Sequence, residues 1–327
     1  MANENLLKIL GKFRGKKIMV LGDIMLDKFI WGEVNRISPE APVQVVAVTK
    51  ENFVPGGAAN VSNNIASLGA GAVMTGIVGN DNAKDELVME LEKKKVDVSG
   101  MFVDRERPTI QKVRVIGRSQ QLLRFDYEKK GYLDAHIEDQ IFAFIESRID
   151  EIDAVIVSDY AKGTVTKGLM ENLIELCNSK GKIIVIDPKP QHRDFYRGAT
   201  LITPNHTEAH QMANFFEENN NNEEIEGMGK KLMEYLGSNV LITRGEKGMS
   251  LFEKNGKVTH IPTFAKEVYD IVGAGDTSVA TLTLALAAGA SFREAAMIAN
   301  YAAGIVVAKI GTATASIDEL KKSIEDG

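Results

Sequence analysis

A glycine-rich turn that carries an aspartate is the stretch of this sequence best suited to chemistry. Residues 268–277 read VYDIVGAGDT, and a helical pattern of small residues follows. Gly273, Ala274 and Gly275 would direct backbone N–H groups outward at the positive end of that helix, where an anion binds. Asp276 could accept a proton from a hydroxyl while these N–H groups stabilise a phosphoryl group in transfer. The alternative is that Asp276 caps the helix.

A second feature is a run of basic residues between positions 107 and 125. The chain has 39 basic and 45 acidic residues and a formal net charge of −6, yet this run contains no acidic residue. Its cations are Arg107, Lys112, Arg114, Arg118 and Arg124. On a strand, Lys112 and Arg114 share one face. Converging cations could hold a phosphate dianion through charge-assisted hydrogen bonds. The alternative is a solvated basic edge that discourages strand aggregation.

The elements that must position these residues alternate along the chain. The sequence predicts strands at 17–22, 154–158, 182–187, 200–203 and 239–243. It predicts helices at 58–68, 83–94, 137–149, 167–179, 223–236 and 292–308. Continuous β-branched runs bounded by Gly, Asp or Pro are typical of strands buried on both faces. The alternation therefore indicates an α/β fold, with a mainly parallel sheet covered by helices.

Two segments, 28–52 and 101–127, interrupt this alternation. Both carry alternating β-type residues and no helical pattern, as in VQVVAV at 43–48 and QKVRVI at 111–116. We interpret both as antiparallel strands that form a small sheet, a lid on a single domain of residues 1–327. Because exposed apolar strands tend to pair with a second copy, we expect a homodimer formed through the lid.

Composition excludes several classes of protein. The acidic balance disfavours general nucleic-acid binding, which needs excess basic charge. The single cysteine, Cys177, excludes an intramolecular disulfide and a multi-cysteine metal site. The longest nearly apolar stretch, 279–290, is too short to span a bilayer. Residues 1–17 show neither the apolar core nor the cleavage site of a secretory signal, so we expect a cytoplasmic protein.

Six motifs in a fixed order make the chain resemble the ribokinase-like carbohydrate kinases, the PfkB family. They are GDIMLD at 22–27, GGAAN at 56–60, DPK at 187–189, TPNHTE at 203–208, TRGEKG at 243–248 and GAGD at 273–276. The resemblance implies a three-layer α/β/α sandwich with a small β-sheet lid. It also implies a sugar kinase that uses ATP and Mg²⁺, with Asp276 as the general base beside Gly273, Ala274 and Gly275.

Three further stretches are similar to the kinase half of the bacterial heptose kinase and adenylyltransferase family. They are RISPEAPV at 36–43, QQLLRFD at 120–126 and SDYAKG at 158–163. This resemblance implies phosphorylation of D-glycero-D-manno-heptose 7-phosphate at O1, on the route to the heptose of lipopolysaccharide. Since no second nucleotide-binding motif follows, we expect a stand-alone kinase. The alternatives are a kinase for fructose or tagatose phosphate and a non-catalytic sugar-phosphate sensor.

The resemblance also implies roles for individual residues. Sugar contacts are expected from Asp27, Gly56, Gly57 and Asn60, and contacts to the sugar's phosphate from Lys112, Arg114, Arg118 and Arg124. ATP contacts are expected from Asn205, Glu208, Thr243, Gly245, Gly248 and Asn300. Asn205 and Glu208 would hold Mg²⁺ through water, and Asp270 with residues 306–315 could bind a monovalent cation such as K⁺. Asp23 could contact the sugar or brace a turn. Asn300 is expected to contact the adenine, and the alternative is a hydrogen bond to the backbone.

Overall fold

The computed structural model describes residues 2–118, 120–215, 220–265, 267–309, 311 and 313–327. Its helices are α1 (Ala2–Leu10), α2 (Ala58–Ser67), α3 (Asn82–Lys93), α4 (Ala135–Arg148), α5 (Lys167–Ser179), α6 (His206–Ala213), α7 (Asn222–Leu236), α8 (Ala274–Ala287), α9 (Phe292–Val307) and α10 (Ile317–Glu325). Its strands are β1 (Lys17–Gly22), β2 (Ile24–Ile37), β3 (Gln44–Gly57), β4 (Gly71–Val78), β5 (Asp97–Val103), β6 (Ile110–Gly117), β7 (Gln120–Tyr127), β8 (Ala154–Ser158), β9 (Ile183–Asp187), β10 (Leu201–Ile202), β11 (Asn239–Thr243), β12 (Met249–Phe252) and β13 (Val258–Ile261).

Nine strands form the main sheet, in the order β13-β12-β11-β10-β9-β8-β1-β4-β5. The pairs from β11 to β5 are parallel, and β12 and β13 extend one edge in antiparallel pairing. Along β1, Ile18 and Val20 enter a core shared with α2, α8 and α9, whereas Met19 and Leu21 enter a second core shared with α4, α5 and α7. These two cores on opposite faces confirm the predicted three-layer α/β/α architecture.

A separate small sheet contains four strands in the order β3-β2-β6-β7. The structure corrects two parts of the prediction for it. Residues 97–103 form β5 and pair with β4 in the main sheet, so this sheet takes only the later part of segment 101–127. Strands β2 and β6 are parallel, with Asp27 opposite Lys112. The prediction of antiparallel strands is confirmed within each segment, for β2–β3 and β6–β7. It was wrong for β2 and β6, because β3, α2, β4, α3 and β5 intervene and no tight turn sets the strand direction.

Helix α8 is buried along almost its whole length, from Asp276 to Leu286. Small residues on α8 and α9 allow the two helices to pack closely, and α2 packs against α8 from the other side. This packing fixes the N-terminus of α8, which carries the glycine-rich turn. Among the described residues, no helix has the length and apolar character needed to cross a bilayer.

Candidate active site

A cavity of about 180 Å³ opens where the carboxyl ends of the central strands meet the start of α8. Loops after β8, β9 and β10 line one side of it, and Gly273, Gly275 and Asp276 line the other. Ligands of open α/β sheets bind at this edge of the sheet. The structure thus brings the predicted glycine-rich turn together with the loops that follow the central strands.

Asp276 lies in the first turn of α8, which begins after Gly273 in the left-handed conformation (φ 82°). Its carboxylate is 7% exposed and accepts two hydrogen bonds from other elements. Asn60 Nδ2 on α2 donates to Oδ2 at 2.7 Å, and the Tyr160 hydroxyl after β8 donates to Oδ1 at 2.7 Å. Asp276 also lines the cavity. The hydrogen bonds described for its carboxylate come from Asn60 and Tyr160 and not from the N-terminus of α8.

Burial raises the pKa of the Asp276 carboxyl above its usual range. The bonds from Asn60 and Tyr160 and the charge of Lys112 act in the opposite direction, while the Asp27 carboxylate adds to the rise. Burial and the Asp276 charge raise the pKa of Tyr160 well above its usual value, so its hydroxyl keeps its proton and remains a donor. A carboxylate in these surroundings can accept a proton from a substrate hydroxyl.

Close packing explains the two glycines at the end of β3. A Cβ on Gly56 would lie 2.6 Å from Oδ2 of Asp27, and one on Gly57 would lie 2.6 Å from the Asp23 carbonyl oxygen. Gly57 also has a positive φ of 54° and caps α2. Both positions therefore require glycine for Asp27 and the start of α2 to lie where they do. Asn60 follows one turn later and reaches Asp276.

Three of the predicted cations converge on one face of the small sheet. Arg114 Nη1 bonds Asp27 Oδ1 at 2.7 Å, and Arg124 lies directly opposite Arg114 on β7. Arg124 makes two bonds to Asp126, at 2.9 and 2.6 Å. Burial lowers the pKa of Lys112, the charges of Arg124 and Arg114 lower it further, and Asp27 and Asp126 counteract this. We call Lys112, Arg114 and Arg124 the cationic cluster.

The other two basic residues of the run lie elsewhere. Arg118 occupies the turn between β6 and β7, with φ 48°, and donates to the Val34 carbonyl at 2.7 Å. It lies four residues beyond Arg114, about 13 Å along an extended strand, and is not part of the cationic cluster. Arg107 bonds Asp104 at 3.0 Å and the Gly131 carbonyl at 2.7 Å, so it ties together the chain before β6 and after β7.

Asn205 and Glu208 form the start of α6 as a reciprocal capping box. Asn205 Oδ1 accepts from the Glu208 backbone N–H at 2.9 Å, and Glu208 Oε2 accepts from that of Asn205 at 3.0 Å. The other Glu208 oxygen accepts from Lys189 Nζ. Both residues line the cavity, and so does Asp187 at the end of β9. Burial and the charges of Glu208 and Asp276 raise the pKa of Asp187 well above its usual value.

This donor set fits Mg²⁺. Its side chains are carboxylate and amide oxygens, which Mg²⁺ prefers, and they line the cavity beside Asp187, with Lys189 paired to Glu208. Within the described ranges, no group of three His, Cys, Asp or Glu side chains is arranged to hold a metal ion directly. An ion that kept its water shell, as Mg²⁺ does, would suit this arrangement.

The remaining nucleotide-loop residues follow β11. Thr243 lines the cavity and forms a β-bridge with Asn205. Gly245 and Gly248 have positive φ values of 59° and 79°, and a Cβ on Gly248 would lie 2.0 Å from the Ile261 carbonyl oxygen. Asn300 on α9 is 3% exposed and donates to the Pro262 carbonyl at 2.6 Å, the alternative left open by the sequence.

Asp270 connects two segments near the start of α8. Its Oδ1 accepts from the Val272 N–H at 3.0 Å, and its Oδ2 accepts from the Gly311 N–H at 3.1 Å. Two residues of the predicted cation-binding segment 306–315, at positions 310 and 312, lie outside the described residues.

Asp23 braces a turn, as one of the sequence alternatives held. Its carboxylate accepts from the backbone N–H groups of Tyr160, Lys162 and Thr164 at 2.8, 3.0 and 3.1 Å. Asp23 thus holds the loop that delivers Tyr160 to Asp276. Sequence reasoning assigned no role to Tyr160 or Asp187; the available signal was their place directly after β8 and at the end of β9.

Comparison with known proteins identifies the family. The profile described as "pfkB family carbohydrate kinase" matches residues 16–319. The chain belongs to this family. It is therefore a sugar kinase. Several solved structures share its fold. These include Arabidopsis thaliana ribokinase complexed with ribose and ATP, with a TM-score of 0.72, 19% identity, and coverage of 96% of this chain and 98% of that one.

A second structural relative is phosphofructokinase-2 from Escherichia coli in complex with substrates and products. It has a TM-score of 0.74 and 20% identity, and covers 95% of this chain and 99% of its own. At such identities the likeness shows the fold, and it confirms the predicted ribokinase-like class, in which the small sheet stands apart from the main one.

Relatives found by sequence comparison have a higher identity to this pfkB kinase than these two solved structures have. The "Bifunctional protein HldE" of Desulfatibacillum aliphaticivorans is 44% identical over 315 residues, 96% of this chain and 64% of the relative. The protein of the same name from Caulobacter vibrioides is 44% identical over 308 residues, 94% of this chain and 63% of the relative. The chain thus spans somewhat less than two thirds of these relatives' length.

Proposed function

We propose that this sugar kinase transfers the γ-phosphoryl group of ATP to O1 of D-glycero-D-manno-heptose 7-phosphate, giving the 1,7-bisphosphate. The observation that carries the proposal is the cationic cluster on the small sheet, in which Arg114 bonds Asp27 and Lys112 packs against Tyr160, a hydrogen-bond partner of Asp276. A neutral sugar offers the excess positive charge of this cluster no counterpart, whereas an acceptor that already carries a phosphate does. Similarity to the heptose kinase family supplies the identity of the sugar.

Charge in and around the cluster supports an anionic acceptor. Arg114 and Arg124 are paired with Asp27 and Asp126, which leaves one positive charge in excess near Lys112. Each arginine has five N–H donors, so a phosphate can bind those its carboxylate partner does not use. A dianion at the cluster would also favour the charged form of Lys112, which burial disfavours.

In the proposed reaction the acceptor hydroxyl gives its proton to Asp276 as its oxygen attacks the γ-phosphorus. A new oxygen–phosphorus bond forms while the bond to the bridging oxygen of ADP breaks, and the proton later leaves Asp276 for water. Backbone N–H groups at Gly273 to Gly275 would stabilise the migrating group. Asn60 and Tyr160 hold the carboxylate in place during the transfer.

ATP is proposed to lie over the cavity, with Asn205, Glu208 and Thr243 on its phosphate side. Asn205 and Glu208 would hold Mg²⁺ through water. When bound, Mg²⁺ would neutralise charge on the terminal phosphates. Activation by K⁺ near Asp270, an adenine contact from Asn300, a cytoplasmic location and a role in lipopolysaccharide precursor synthesis stay predictions from the sequence.

A panel of acceptors tests the proposed substrate. ADP release would be measured with ATP, Mg²⁺ and, in turn, heptose 7-phosphate, fructose 6-phosphate, tagatose 6-phosphate, ribose and unphosphorylated heptose. We expect heptose 7-phosphate to give the largest kcat/KM and a bisphosphate product. Equal rates with neutral sugars would contradict the role of the cationic cluster. A preference for fructose or tagatose phosphate would leave the cluster in place and overturn only the choice of sugar.

Variants of the cluster sharpen the same test. Arg114→Ala and Lys112→Ala each remove a charge-assisted contact of about 1.5–3 kcal/mol, so KM for the phosphorylated acceptor should rise about tenfold or more. KM for ATP should change little. Arg105→Ala is the matched control, because Arg105 is exposed in the turn before β6, outside the cluster.

A further inference from the structure

Tyr160 is the residue in contact with Asp276 whose role the motifs leave unexplained. It is the second residue after β8, and its hydroxyl lies 2.7 Å from Asp276 Oδ1. Two lysines pack against its ring, with Lys112 Nζ of β6 5.3 Å and Lys189 Nζ of the loop after β9 5.5 Å from the centroid. Tyr160 therefore contacts the Asp276 carboxylate and two cations.

The surrounding structure holds Tyr160 in one position. Its backbone N–H donates to Asp23, and the N–H of Ala161 donates to Asp159 at 2.6 Å. Ala161 has a positive φ of 55°, which is uncommon for a residue with a Cβ. Asp159 is in turn bonded to Tyr196 at 2.6 Å. A loop that keeps an unfavourable backbone conformation through several buried bonds is typical of a functional site.

The two bonds to Asp276 fix the plane of its carboxylate. Asn60 holds Oδ2 from α2, and Tyr160 holds Oδ1 from the loop after β8. Both donors are neutral, so neither cancels the carboxylate charge. With one lone pair on each oxygen occupied, the free lone pairs point in defined directions. Precise alignment of this kind accounts for a large part of the rate of an oriented reaction.

We propose that Tyr160 is a positioning residue for phosphoryl transfer: its hydroxyl fixes the Asp276 carboxylate so that a free lone pair faces the acceptor hydroxyl. The inference rests on the proposed role of Asp276 as general base, and it holds for any acceptor sugar. The ring has a separate role, because Lys112 and Lys189 both pack against it.

Two substitutions separate the role of the Tyr160 hydroxyl from that of its ring. Tyr160→Phe removes the hydroxyl and keeps the ring, and Tyr160→Leu removes both. We expect Tyr160→Phe to lower kcat about ten- to hundredfold while KM for ATP and sugar stays near the wild-type value. Tyr160→Leu should also raise KM for the acceptor, because Lys112 loses its support. Tyr235→Phe is the matched control: its hydroxyl also donates to an aspartate, Asp194, at the surface.

The pH profile distinguishes positioning from a general loss of structure. Five groups face Asp276: Asn60 from α2, Tyr160, Lys112 from β6, Asp27 from β2 and Asp187 from β9. The hydrogen bond from Tyr160 lowers the pKa of Asp276. Its removal should therefore shift the acid limb of kcat/KM to higher pH in Tyr160→Phe, whereas Tyr235→Phe should keep the wild-type limb.

Several outcomes would overturn the inference. Tyr160→Phe with wild-type kcat and an unmoved acid limb would do so, as would a fall in kcat that is equal at every pH and matched by a fall in melting temperature. Asp276→Asn distinguishes this failure from failure of the proposed function. If that variant keeps its turnover, Asp276 is not the base and both ideas fall. If it is inactive while Tyr160→Phe is normal, only the role of Tyr160 falls.

Discussion

Asp276 obtains its properties from residues that are distant in the chain. Asn60 lies 216 positions before it and Tyr160 lies 116 positions before it, yet each bonds one carboxylate oxygen. Burial works against the charged form, and the two bonds and Lys112 work for it. Burial thus raises the pKa of this carboxyl, while its neighbours favour the ionised form that a general base requires.

Asp276→Asn tests this residue directly. An amide has the same shape but cannot accept the proton, so we expect kcat to fall about 10²–10⁴-fold. ATP binding, followed by calorimetry, should persist because Asn205, Glu208 and Thr243 are untouched. In the wild type, activity needs the ionised carboxyl and is lost as pH falls through its pKa. Because that pKa is raised, the acid limb of kcat/KM should lie above the ~3.9 of a free aspartate.

Near-normal turnover in Asp276→Asn would contradict the assignment. Loss of ATP binding together with turnover would indicate damage to the start of α8. Circular dichroism and thermal melting of the variant provide the control for folding.

At the scale of elements, the site depends on loops that follow parallel strands. The loop after β8 carries Tyr160 and is held by Asp23, which follows β1, the neighbouring strand. Three backbone N–H groups converge on that one carboxylate. Burial and then the Asp159 charge raise the pKa of Asp23, while the three N–H bonds lower it. The position of Tyr160 at Asp276 therefore depends on β1 and β8 lying side by side in the main sheet, because Asp23 follows one strand and holds the loop after the other.

Asp23→Ala should disturb this loop. Buried donors without an acceptor cost about 1–3 kcal/mol each, partly offset because a buried charge is removed with them. We expect a lower melting temperature and a fall in kcat as Tyr160 leaves Asp276. Asp23→Asn keeps an acceptor oxygen and should lose less of both. Unchanged kcat in Asp23→Ala would show that the loop holds its position without this carboxylate.

At the scale of the whole molecule, the small sheet presents two different faces. Arg124 and Asp126 lie on the face that contains the cationic cluster, and Leu123, Phe125 and Tyr127 alternate with them along β7. The latter three are 57%, 38% and 48% exposed. Other exposed apolar residues of this region are Ile37, Val43, Val48 and Leu122, whereas the exposed Trp31 shares a face of the sheet with Lys112 and Arg114. We propose that this apolar surface pairs with a second copy of the chain, as the sequence predicts.

The oligomeric state tests that proposal. Light scattering after gel filtration should give a dimer for the wild type at micromolar concentration. Leu123→Glu should shift the mass toward a monomer, because it places a charge in the apolar surface. Met89→Glu is the matched control, since Met89 is 44% exposed and belongs to α3 rather than to the small sheet. A monomeric wild type, or a Leu123→Glu protein that stays dimeric, would contradict pairing through this sheet.

The sequence by itself determined the alternation of strands and helices, though not every element, and the chemical content of the motifs. Strands such as β1 and β8 and helices such as α5 were predictable because apolar periodicity and flanking glycine, aspartate or proline act over a few residues. The glycine-rich turn before α8 was recognisable for the same reason. These are short-range signals, and neither the acceptor nor the dimer follows from them alone.

Only the tertiary structure decided which side chains meet. It separated Arg118 and Arg107 from Lys112, Arg114 and Arg124, made β2 and β6 parallel, and brought Tyr160 to Asp276. Each of these depends on strand register and helix packing between segments far apart in the chain, which no local pattern encodes. The site is thus a product of long-range pairing, and its motifs are chemically complete only once the sheet has formed.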